Sequence, residues 1–186
     1  MNALSNLNYQ FKKFYAEGNY VEALKKIRRL VEENPDDHWY WTRLSSVFYE
    51  LRRYDDALQA SEIAMSIDKR CPLVLWDYAG VLRMVDRELE AIKIYEGLLT
   101  RGEKSLAYGE CGEGIKWARS LLNDCRFCLG RLFFEKKEYK KASDYLKKHL
   151  KNRCRGQYSC SSKKDAEIFL KKINERKGVR PPKSLF

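Results

Sequence analysis

Long apolar runs are missing from this chain. No stretch approaches the roughly 18 consecutive apolar residues of a membrane span. The opening Met1-Asn2-Ala3-Leu4-Ser5 has no basic region leading into an apolar one. No membrane contact is therefore expected, and a cytoplasmic location is. Catalytic signatures are also lacking: there is no phosphate loop, no Gly-x-Ser-x-Gly and no His-Glu-x-x-His. The two histidines, His38 and His149, have no nucleophile beside them in sequence. The chain is not expected to be an enzyme or to need a cofactor. Its six cysteines are an even number, but 186 residues with 44% hydrophobic content can build a core without a disulfide framework. Reduced thiols and a single domain over residues 1–177 are the expectation.

Negative charge is scarce in one half only. Residues 1–100 hold 14 Lys+Arg against 16 Asp+Glu, a net of −2, whereas residues 101–186 hold 23 against 10, a net of +13. Residues 136–186 alone hold 17 against 5, so the basic character belongs to the C-terminal third.

What the chain does have is a period. Ala23, Ala57 and Ala91 lie 34 residues apart, each just after a turn-like segment such as Tyr20-Val21-Glu22 or Tyr54-Asp55-Asp56. A fourth copy, Tyr139-Lys140-Lys141-Ala142, follows after 51 residues, one period plus 17. Each period holds two amphipathic helices. In the second copy Trp41, Leu44, Val47, Phe48 and Leu51 recur at helical spacing, Arg52-Arg53-Tyr54 turns the chain, and Ala57, Leu58, Ala60, Ser61 and Ala64 line the returning helix. The alanines have a physical reason, since two antiparallel helices approach closely only where one offers no bulk. Glu33-Asn34-Pro35-Asp36 ends the first hairpin, because proline cannot continue a helix.

On these residues the chain resembles the tetratricopeptide repeat family. Trp41, Leu44, Phe48 and Ala57 match its pattern in copy two, with Ser45 for the glycine. Leu129-Gly130, Phe133, Tyr139 and Ala142 match in copy four, and Phe14, Gly18, Tyr20, Ala23 and Pro35 in copy one. Copy three keeps Ala79, Leu82, Ala91 and Tyr95. The resemblance implies an all-α, right-handed superhelical array of about four hairpins, over about residues 4–37, 38–71, 72–101 and 113–153. Gly102, Gly109, Gly112 and Gly114 predict a loop over 101–114, after which the first helix of copy four starts early and runs long. Ser162-Lys163-Lys164-Asp165 reads as a capping box opening a terminal helix over about 162–177, whose Ala166, Phe169, Leu170 and Ile173 would cover the last repeat. Residues 178–186 form a basic tail.

In this family the first helix of each repeat lines a concave groove that holds a protein or peptide. The register places Tyr9, Lys12, Trp39, Arg43, Tyr49, Trp76, Asp77, Arg83, Phe127 and Arg131 there. Aromatics and arginines supply most binding energy at interfaces, about 2 kcal/mol or more for a buried anchor. The expected function is a scaffold or adaptor whose partner segment carries acidic and aromatic anchors. Members that clamp the carboxylate tails of chaperones use a fixed Lys, Asn, Asn, Lys, Arg set. The matching positions here are Asn8, Lys12, Arg43, Leu73 and Asp77. Leu73 cannot bind a carboxylate and Asp77 would repel one, so that specialisation is not expected.

Two other chemistries are weighed. Cys125-x2-Cys128, with Cys111 and Cys154-x5-Cys160, has some of the donors of a zinc site, but Cys125 falls on an apolar helical stripe and buried free thiols are the expectation. No metal is expected, and a Cys154–Cys160 disulfide would need an oxidised sample. The basic residues Lys147, Lys148, Lys151, Arg153, Arg155, Lys171 and Lys172 could neutralise phosphates, so nucleic-acid binding is the alternative function. Few aromatics accompany them for stacking bases, and a solvated face is the simpler reading.

Overall fold

The computed structural model describes residues 3–176, and among them are nine helices and no strand. These are α1 (Ala3–Ala16), α2 (Tyr20–Glu33), α3 (His38–Glu50), α4 (Tyr54–Ile67), α5 (Pro72–Met84), α6 (Glu88–Tyr108), α7 (Ile115–Glu135), α8 (Tyr139–Cys154) and α9 (Lys163–Arg176). They fall into two compact units, Met1–Ile94 and Tyr95–Phe186, with the border inside α6. The tail over 178–186 lies outside the described residues.

The hairpin turns repeat with the same period as the alanines. Gly18, Arg52, Asp86 and Lys137 all have positive φ, between 58° and 72°, at successive spacings of 34, 34 and 51 residues. The residue after each closes the turn by donating its backbone N–H five residues back: Asn19 to Phe14, Arg53 to Phe48, Arg87 to Leu82 and Glu138 to Phe133, at 2.8–2.9 Å. This closure satisfies carbonyls that the helix end leaves without partners. Only the first copy uses glycine, the residue that takes this conformation without strain.

In the first unit, Leu7, Phe11, Ile27, Leu30, Leu44, Val47 and Phe48 form the core. Ala23, Ala57 and Ala91 have no exposed surface, nor does Ala142 in the second unit. Asp37 opens α3 by accepting the Trp39 backbone N–H at 2.8 Å, and Pro72 begins α5, where a missing N–H costs nothing.

In the second unit, α7 runs for 21 residues against 13 in α3 and α5. It meets α8 at Gly130, where a Cβ would stand 2.6 Å from Leu146 Cγ. The α9 helix buries Ala166 and Ile173, and Phe169 sets its ring edge-on to Phe127 and Phe134.

The segment read as a loop from Arg101 is different. Within α6 the backbone kinks at Gly102 (φ 76°, ψ 163°), and a second helical stretch follows it to Tyr108. Leu106 and Ala107 beyond the break are buried, and their burial holds a further helical turn that glycine content alone argues against.

Candidate protein-binding face

The first helices of the three hairpins in unit one bring a polar cluster together. On α3, the Arg43 guanidinium stacks over the Trp39 ring at 3.6 Å from its centroid, an i, i+4 pair on one helix. One repeat further on, Arg83 of α5 donates to the Tyr49 hydroxyl at 3.0 Å. Ser46 donates to Asp77 at 3.0 Å, and its hydroxyl lies equally near the Thr42 carbonyl. Two of the arginines expected at the groove therefore each meet an aromatic residue expected there, Arg43 with Trp39 and Arg83 with Tyr49.

Asp77 is the electrostatic centre of this cluster. Burial pushes its carboxyl up to about 6, against the pull of the Ser46 hydrogen bond and the Arg43 charge, and Glu50 adds to the rise. Burial likewise pushes Tyr15 of α1 up to about 12, with Glu50 and Asp77 adding to it. Tyr9 and Lys12 stand exposed on α1, Tyr9 at 61%. Trp76 is half-buried, and its indole N–H has no acceptor among the described residues. Tyr15, Ser46 and Glu50 escaped the sequence reading. Their contacts cross 27 to 62 residues of sequence, and nothing in the repeat pattern points to them.

In the second unit the expected groove residues separate. Phe127 is buried, with its ring 5.3 Å from that of His149 and 6.2 Å from that of Phe169, so it serves the core beneath α9. Arg131 lies 3.7 Å from Glu135 on its own helix. Lys147, Lys148, Lys151, Arg155, Lys171 and Lys172 are exposed, whereas Arg153 is half-buried and donates to the Gln157 carbonyl at 3.2 Å.

A polar network fastens the chain beyond α8 to α7. The Asp124 carboxylate accepts from the Ser159 hydroxyl and, at 3.0 Å, from the Cys160 backbone. His149 Nδ1 lies 3.1 Å from the Asn123 carbonyl, and Asn152 donates to the Asn123 side chain at the same distance. Burial raises Asp124 and lowers His149, leaving the ring neutral. Cys125 is fully buried, and burial pushes its thiol well up.

No family model and no curated protein matches the sequence. Solved structures do match the fold. The apo form of RapI superposes with a TM-score of 0.76 at 15% identity, over 95% of this chain and 65% of that one. BtubC (BKLC) from P. vanneervenii gives 0.71 at 15%, over 94% and 73%. PilW, a type IV pilus biogenesis factor, gives 0.66 at 18%, over 97% and 81%. The fold is thus that of the helical-hairpin repeats, and within them it is tetratricopeptide-like. Among the described residues, no helix is long and apolar enough to cross a membrane.

Proposed function

We propose that this chain is a protein-interaction scaffold, and that the face of α1, α3 and α5 in its first unit binds a segment of a protein partner. The observation that carries this reading is the half-buried Asp77, a carboxyl that accepts from Ser46 at 3.0 Å and so joins α5 to α3 on the face where Arg43 stacks over Trp39. Arg43 and Arg83 offer two guanidiniums to acidic residues of the segment. Trp39, Trp76 and the exposed Tyr9 offer apolar contact to its aromatic ones. The basic surface of α8 and α9 supports nucleic-acid binding as a second reading, through exposed cations that include Lys147, Lys148, Lys151, Lys171 and Lys172. No catalytic role enters either reading.

The test uses peptide segments selected by display against the full chain, with affinities read by fluorescence anisotropy. Two lost anchors at about 2 kcal/mol each weaken binding by up to about a thousandfold in Arg43→Glu/Trp76→Ala, with helicity intact by circular dichroism. Affinity unchanged in that folded variant removes the proposal.

A further inference from the structure

Three metal-ligating side chains of different chemistry meet in the first unit. His38 is the first residue of α3, Asp68 follows the end of α4, and Cys71 immediately precedes α5. Their ligand-capable atoms lie within 4.8 Å of one another. Tetrahedral zinc with bonds of about 2.0–2.3 Å sets its ligands about 3.3–3.8 Å apart, a gap that small side-chain rotations close. The geometry points to a divalent transition-metal site, of zinc type, formed by His38, Asp68 and Cys71.

The donor set argues for this class of ion. Imidazole with a thiol selects a borderline or soft cation and disfavours magnesium and calcium, which take oxygen ligands. The carboxylate is also oriented from outside: Asp68 Oδ1 accepts the backbone N–H of Arg70 at 2.8 Å and of Cys71 at 3.0 Å. Outer contacts of this kind fix a ligand before the metal arrives. Cys71 is buried, at 1% exposure, while His38 and Asp68 are half-buried, so the site has a protein side and an open side. On the His38 side lies a cavity of about 490 Å³ lined by Glu33, Asn34, Pro35, Asp36, Asp37 and His38. Its three carboxylates give the approach a negative potential that draws in a cation.

The ion would tie the start of α3 to the turn between α4 and α5 and so brace two successive hairpins.

The full chain is stripped with a chelator, loaded with zinc, dialysed, and its metal counted by mass spectrometry. Isothermal titration with zinc gives the affinity. The expected result is one zinc retained per chain, bound about tenfold or more weakly by each of Cys71→Ser and His38→Gln. The Cys125→Ser/Cys128→Ser variant keeps the wild-type affinity. Cobalt(II) loading then shows a thiolate charge-transfer band that Cys71→Ser removes while circular dichroism stays unchanged. Failure of the wild type to retain zinc overturns the proposal. So does equal affinity in both single variants, which would leave His38 and Asp68 as a polar contact beside a buried thiol.

Discussion

Replacing Asp77 with asparagine should stabilise the first unit, and only above about pH 4. The carboxyl has an ordinary value of 3.8 and stands at about 6 in the folded chain. Folding therefore binds a proton between those values, and stability falls as pH rises through that window. Below pH 4 the group is protonated in both states and costs nothing. Above pH 6 it is charged in both, and the full penalty applies. A displacement of about 2 in pKa corresponds to about 3 kcal/mol as an upper bound, and to about 1–3 once solvent at the open side screens the charge. Asparagine keeps an oxygen for the Ser46 hydroxyl and carries no charge to desolvate. Urea denaturation of wild type and Asp77→Asn at pH 4, 5, 6, 7 and 8 measures the difference, in which other titrating groups cancel. The two proteins should agree at pH 4 and diverge to about 1–3 kcal/mol in favour of the variant by pH 7. Parallel curves across the whole range would refute the burial argument. A variant less stable at pH 7 would mean that Arg43 outweighs desolvation.

Gly130→Ala forces a Cβ against Leu146 and should cost the second unit about 1–3 kcal/mol in a chemical denaturation. Equal stability would show that α7 and α8 are not in close contact there. Arg52→Gly and Lys137→Gly relieve left-handed backbone and should each raise the stability read by denaturation, by about 1 kcal/mol at most. A loss at both sites would contradict the turn geometry. His149, held neutral by burial, should titrate below its ordinary value of 6.5 by NMR. Its pKa is depressed on folding, so this ring removes stability as pH falls below 6.5, and a normal titration would contradict its burial. Reversing Lys147, Lys151 and Lys171 to glutamate should leave peptide binding unchanged, and a loss of affinity would move the partner site to the second unit.

The hairpins were legible because their determinants are local and periodic. The alanine spacing of 34, 34 and 51 returned as four turns of matching left-handed backbone, although three of those turns carry Arg52, Asp86 and Lys137 rather than glycine. Glycine content was half informative: Gly102 does break the helix, but a second helical stretch follows it to Tyr108, since the burial of Leu106 and Ala107 is a tertiary matter. The site was half legible. Helical register put Trp39, Arg43, Tyr49, Trp76, Asp77 and Arg83 on first helices, but not their pairing with one another. Phe127 followed the same register and was buried by α9, an element outside the repeat. The meeting of His38, Asp68 and Cys71 depends on two turns a full repeat apart, which no motif spacing encodes.

The four tryptophans supply a direct test of where a partner binds. Trp39 and Trp76 lie on the proposed face, whereas Trp41 donates its indole N–H to the Pro35 carbonyl at 2.7 Å, and Trp117 sits near the start of α7 in the second unit. Titration of the isotope-labelled full chain with a selected segment, followed by its indole N–H resonances, separates these positions. The Trp39 and Trp76 signals should move together with saturation while Trp117 stays fixed. Movement of Trp117 with Trp39 and Trp76 unchanged would contradict the proposed face.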